Sequence, residues 1–278
     1  MRQLTDIRER QDRLFALMCT FADFCQAHQL RYQLFGGTLL GAVRHADFIP
    51  WDDDVDLAMP RPDYDKFAQL FRREPWPNAR LTCGPEAYMR LTDARTVCHN
   101  GVRPRYRGGV SVDIFPIDGC DEDDERLLRR AQRMRRDRDR LVKGVLALWP
   151  EPEEELGPAR ALLRAGNRLR KRFPWCLIPP SICGRRITRE ASRVSPDAAA
   201  RAGVLCAWGE RSVLPREDML NTVEMPFRDR TFPCPRGYDR LLTRKYGDYM
   251  CLPDEAHRVT HSGALYIMDG EREDAHGD

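Results

Sequence analysis

Apolar residues recur at helical spacing over residues 5–29, where Leu14, Leu17, Met18, Phe21 and Cys25 share one face. That period predicts an amphipathic helix packed on a core. The pattern then shortens. Residues 32–35 form a compact apolar run that predicts a buried strand, closed by Gly36-Gly37, and Thr38 opens one or two turns of helix through TLLGAVRH. Beyond a proline-containing loop, Asp54 and Asp56 alternate with Val55 and Leu57 in a second predicted strand over 54–59. Pro62 stands at a plausible first helical position of a helix running to Arg73, ended by Pro75, Trp76 and Pro77. Three β-like runs follow at 80–83, 88–92 and 110–115.

The middle of the chain changes character. Residues 121–148 read as one helix whose acidic first turn favours the helix dipole. Further helices are predicted over about 159–172 and 184–194, separated by proline clusters. Residues 221–232 read as two strands around a turn at 227–229, followed by a helix near 238–246 with Gly247 just past its end. The tail beyond Ile267 is acidic and predicted to fray, and no internal repeat is present. The layout predicts an α+β fold: a small mixed β-sheet flanked by helices, with a basic helical insertion. One catalytic domain over 1–278 is expected, its core at about 25–120 and 215–255 and its insertion at about 121–214.

Composition narrows the class. With 42% apolar and 32% charged residues the chain is that of a globular protein rather than a disordered one. No apolar run approaches the ~18–20 residues needed to cross a bilayer. The charged start MRQLTDIRERQDR lacks the apolar core of a secretion signal. The expected location is the cytoplasm, with a peripheral position on the inner face of the membrane. The ten cysteines form no C-x-x-C pair and no zinc spacing, so they are expected to act as small buried apolar residues. The net charge of +3 conceals an asymmetry: residues 126–143 hold nine Lys/Arg against two Asp, and residues 160–189 hold nine Lys/Arg and no acid. In that block Leu162, Leu163, Leu169, Phe173, Trp175, Leu177 and Ile178 interleave with the arginines, as in helices that lie on anionic lipid. Solvated helix surface is the plainer alternative, and a polyanionic glycan is a second ligand for the same charges.

The candidate chemistry sits in residues 32–59. A strand alternates its faces, so Asp54 and Asp56 point the same way, roughly 6–7 Å apart. Two carboxylates on one face near glycines that expose backbone N–H groups suit a metal-bound phosphate. A solvated acidic turn at Asp52-Asp53-Asp54 competes with that reading. Asp113, between Val112 and Ile114, is an odd choice for a sheet interior without a partner; the metal held by Asp54 and Asp56 is the partner expected here, and a buried structural acid is the alternative. Gly36-Gly37 alone carries little weight, because glycine pairs are common in turns.

The run FGGTLLGAVRHADFIPWDDDVDLAMPRPDY resembles the signature of the LicD/fukutin family of phosphotransferases, and DIFPIDG and PRGYDRLLTRKYGDYMCLP resemble its downstream motifs. The resemblance covers about residues 25–255, interrupted by the basic block. It implies a nucleotidyltransferase-like fold and transfer of a substituted phosphate, such as phosphocholine or ribitol phosphate, from a CDP-linked donor such as CDP-choline. The acceptor implied is a sugar hydroxyl of a cell-surface glycan or its lipid-linked precursor. By the same resemblance Asp54 and Asp56 are magnesium ligands, with manganese as an alternative ion. Asp113 is the third acid, as ligand or as base for the acceptor hydroxyl, and Gly36, Gly37 and Thr38 hold donor phosphate. Arg44 and Arg90 are candidate phosphate contacts, since guanidinium pairs with phosphate in bidentate fashion, with surface ion pairs as the alternative. Trp51 is the best placed aromatic for a quaternary ammonium. Tyr246-Gly247-Asp248-Tyr249 is expected near the site, and His257 and His261 are expected at the surface.

Three other functions compete. Nucleotidyl transfer would use the same acids. A nucleic-acid-binding protein would use the basic helices but leaves the acids unexplained, and no nucleic-acid partner is expected. A glycosyltransferase reading of the D-x-D lacks a nucleotide-binding βαβ start.

Overall fold

The computed structural model describes residues 1–83, 87–99, 108–147, 180–254, 258 and 263–268. Its centre is a mixed sheet of β2 (Gln33–Leu34), β3 (Val55–Pro60), β4 (Ala79–Cys83), β5 (Met89–Asp93) and β7 (Ser111–Cys120), in the order β2-β3-β7-β5-β4. Only β3 and β7 in that row run parallel. The parallel pair is joined through α3 (Arg61–Arg73), which supplies the long crossover such a pair requires. The far half of β7 also pairs with β8 (Arg201–Gly203), which pairs with β9 (Leu214–Pro215). One face of the central strands is apolar, with Val55, Leu57, Val112 and Ile114 fully buried. Against the core packs α1 (Ile7–Ala27), burying Leu14, Met18, Phe21 and Cys25.

The structure follows the expected pattern closely in this core, with instructive differences. Helix α2 (Gly36–His45) starts two residues before Thr38, so both glycines lie in its first turn. Strand β7 continues past Phe115 to Cys120 because Pro116 falls at a place where the neighbouring strands change. The second sheet was not legible: β1 (Arg2–Gln3), β12 (Ala264–Ile267) and β6 (Thr96–His99) pair side by side. These strands are too short to carry a period, and they pair only because the fold brings distant segments together. The hairpin β10 (Thr222–Phe227) and β11 (Arg230–Pro235) forms as expected, with Arg228 at φ +57° in its turn.

Of the basic insertion, α4 (Asp124–Ala147) and α5 (Pro180–Ala191) are described; the expected helix over 159–172 lies outside the described residues. A short α6 (Arg216–Leu220) leads to the hairpin, and α7 (Tyr238–Tyr246) ends at Gly247 with φ +69°. Among the cysteines whose side chains are described, all are free; Cys25, Cys120, Cys206 and Cys234 are buried, whereas Cys83 and Cys251 are exposed. Among the described residues no helix is long and apolar enough to cross a membrane.

Candidate active site

Parallel pairing of β3 with β7 places Asp56 directly beside Asp113. Antiparallel pairing of β7 with β5 places Arg90 on the other side of Asp113. Neighbouring strands lie about 4.8 Å apart, so the three side chains form one row across the sheet, on the face opposite the apolar side chains. The Arg90 guanidinium donates to both Asp113 oxygens, from Nε at 2.6 Å and from NH2 at 2.8 Å, and also to the Tyr88 hydroxyl at 3.2 Å. Asp113 thus has the partner that an acid in a sheet needs, and that partner is a guanidinium on the next strand.

Asp56 meets the start of α2. The Gly37 N–H donates to its Oδ2 at 3.3 Å, and the Asp56 N–H donates to Thr38 Oγ1 at 2.9 Å. Gly36 has φ +56°, and a Cβ there would lie 1.9 Å from Asp56 Oδ2; a Cβ on Gly37 would lie 2.6 Å from Asp52 Oδ2. The glycine pair is therefore what lets two carboxylates press against the helix N-terminus, where the dipole favours negative charge. Thr38 fixes the acidic strand to the helix, and its side chain is buried. Helix α1 holds the preceding loop: the Gln11 amide donates to the carbonyls of Ile49 and Asp52, and Arg10 pairs with buried Asp53 at 3.4 Å.

These acids burden one another. Burial, then the charges of Asp54, Asp113 and Asp52, push the Asp56 carboxyl well above the usual range, against the lowering effect of the Gly37 N–H. Burial, then Asp54 and Asp53, push Asp52 up to about 8. The end of α7 closes on the same place: burial, then the charges of Asp56, Asp52 and Asp54, raise the Tyr246 hydroxyl. Beside it, burial and then Arg211 lower Lys245, while Asp56 acts the other way. The Lys245 ammonium stands 4.2 Å from the centre of the Trp208 ring, which contacts Phe35 at 4.6 Å between centroids. Oxygen donors crowded with too little positive charge are what a hard divalent cation relieves. Among the described residues no group of three or more His, Cys, Asp or Glu forms a ready-made metal cage.

The remaining expected residues fall as follows. Arg44 donates to the carbonyl oxygens of Tyr249 at 2.8 Å and Cys251 at 3.4 Å, tying α2 to the segment after α7. Trp51 is half-buried with the Arg258 guanidinium 4.6 Å from its ring centre. Tyr246 is at the site, as its motif implied. His257 and His261 lie outside the described residues. Lys245 and Trp208 were missed in the sequence: a lone basic residue in TRKYGDY and a lone tryptophan carry no spacing that distinguishes them.

The fold and the acid row define an α+β domain of nucleotidyltransferase type. Residues 29–138 match the LicD/FKTN/FKRP nucleotidyltransferase domain. It is 27% identical to the lipopolysaccharide cholinephosphotransferase LicD of Haemophilus influenzae, across 96% of this chain and 100% of that relative. It is 53% identical over 45 residues to the ribitol 5-phosphate transferase FKRP of human and mouse, which is 16% of this chain and 9% of each relative.

Proposed function

We propose that this protein is a phosphotransferase that moves a substituted phosphate, phosphocholine or a similar alcohol phosphate, from a CDP-linked donor to a sugar hydroxyl of a glycan. The observation that carries the reading is the row Asp56, Asp113, Arg90, with the N-terminus of α2 closing on Asp56. Full-length similarity to a cholinephosphotransferase and the local match to a ribitol-phosphate transferase support phosphate transfer to glycans as the class of reaction. Asp54 and Asp56 would hold a magnesium ion. Magnesium is usually bound by one or two carboxylates together with substrate phosphates rather than by an all-protein cage, which suits this acid pair. When bound, it neutralises phosphate charge in a reaction that depends on positioning and electrostatics more than on a covalent nucleophile. Asp113, which takes two hydrogen bonds from Arg90, would accept the proton of the acceptor hydroxyl. Arg90, in the same row, would contact a phosphate oxygen of the donor. Lys245 and Tyr246 line the approach to Asp56 from the side of α7.

Incubation with CDP-choline and related CDP-alcohols, magnesium and a glycan acceptor tests the proposal. Release of CMP that depends on the acceptor supports it. Release of pyrophosphate from a nucleoside triphosphate, without CMP from these donors, would instead indicate nucleotidyl transfer.

A further inference from the structure

A second concave site lies away from the acid row, between α4 and α5. It is a cleft of about 500 Å³, within the range of small-molecule sites, about 300–1,000 Å³. Arg133, Arg136 and Arg140 line it from α4, and Arg186, Arg189 and Arg193 line it from α5 and the turn beyond. The acids among its described lining residues are Asp137 and Glu190. Six guanidinium groups against two carboxylates leave a strong positive excess in one concavity.

The walls are held in place. Buried Arg130 donates to the carbonyls of Glu190 and Ala191 at 2.7 and 2.9 Å, and to Glu122 at 2.8 Å. Leu127, Ala131 and Met134 of α4 and Ile187 and Ala191 of α5 are buried. Asp137, itself buried, orients Arg140 at 3.1 Å and Arg186 at 3.4 Å. Glu190 Oε1 takes Arg193 at 2.6 Å, but its buried Oε2 has no hydrogen-bond donor among the described residues, and the Arg133 guanidinium stands 3.9 Å from it. Arg136 and Arg189 have no carboxylate partner among the described residues. Arginines without enough acids call for phosphate groups. A buried carboxylate oxygen without a donor calls for a hydroxyl.

We propose that this cleft binds a phosphorylated saccharide, with its phosphates on the arginine walls and a sugar hydroxyl donating to Glu190 Oε2. The opposite side of α4 faces the segment that carries Trp208: Arg138 donates to the Ala207 carbonyl and Arg135 to Glu210, on either side of that tryptophan. The cleft is thus about one helix diameter, roughly 10 Å, from the segment that carries Trp208. That the saccharide is part of the acceptor glycan rests on the proposed function; the binding itself does not.

The test is calorimetric titration of the full-length chain with glucose 1,6-bisphosphate at physiological salt. The expected result is saturable binding that falls about tenfold or more in Arg136→Gln/Arg189→Gln, both exposed positions, through loss of two charge-assisted contacts. Asp56→Asn should bind the probe as the unaltered protein does, and tripolyphosphate, which has no sugar hydroxyl, should bind more weakly. Absence of saturable binding, indifference to the double substitution, loss of binding in Asp56→Asn, or equal affinity for tripolyphosphate would each overturn the proposal. So would binding to phosphatidylglycerol vesicles but not to the sugar phosphate. Failure of CMP release from CDP-alcohols leaves this binding result standing, so the two proposals fail separately.

Discussion

Asp56 is where the physical demands on single residues meet. Its carboxyl is hemmed by Asp52, Asp54 and Asp113 and touched by the Gly37 N–H. Asp56→Asn removes a repelled charge while keeping the shape, so turnover should fall at least about a hundredfold, as when a group that stabilises the transition state is lost. The melting temperature should stay level or rise, which circular dichroism can follow; near-normal turnover would remove the metal assignment. Gly36→Ala tests the opposite side of the contact. At φ +56° and with a Cβ 1.9 Å from Asp56 Oδ2, the change should cost about 1–3 kcal/mol in backbone strain alone and displace the carboxylate. Denaturant unfolding and turnover should both register it. Residue types in this stretch were legible because acids alternating with apolar residues beside glycines leave few interpretations. The engagement of Asp113 by Arg90 was not legible, because nothing local relates residues on different strands.

At the scale of elements, the decisive feature is the parallel pairing of β3 with β7. It sets Asp56 opposite Asp113, and a slip of one residue would turn one of the acids to the core face. The pairing is clamped just past its last pair, Pro60 beside Ile117: Arg61 donates from Nε and NH2 to the fully buried Asp118, at 2.7 and 2.8 Å. Removing one partner of such a buried pair leaves a stranded charge, so Arg61→Met should destabilise the protein by about 3–5 kcal/mol. Arg61→Met/Asp118→Leu should recover much of the loss in chemical denaturation. If the single and double variants are equally unstable, the pair is not what clamps the strands. Helix α4 shows the limit of pattern reading. Its buried stripe includes Arg130 and Asp137, charged residues that a hydrophobic period assigns to solvent.

Across the whole molecule, distant segments are fastened by a few arginines. Arg228 in the β10–β11 turn donates to Asp47 and Asp12, each at 2.8 Å, and lies over the rings of Phe15 and Phe48. It joins the late hairpin to α1 and to the end of α2. Burial alone would raise Asp47, but hydrogen bonds from Arg228 and the Phe48 N–H, with the charges of Arg228 and Arg8, hold it below its ordinary 3.8. A carboxyl lowered in the folded state adds stability that is complete above its unfolded value and is lost as pH falls through the lowered one. Asp47→Asn should therefore melt lower than the unaltered protein at pH 7. The gap should close as the pH falls through the lowered value, below which both carry an uncharged group. A gap of constant size across the acid range would show that the lost contribution is not ionic.

The sequence by itself determined the local elements of the core and the residues of the candidate site. Helical and strand periods, prolines and glycines act over a few residues and need no partner to be recognised. Only the tertiary structure decided which acids stand together, that β1, β12 and β6 pair, and that Lys245 and Trp208 reach the acids' neighbourhood. Those outcomes depend on register and packing between segments far apart in the chain. At residues 36–37 both levels meet: the glycines mark a turn in the sequence, while their physical necessity is the space that Asp56 and Asp52 occupy against them.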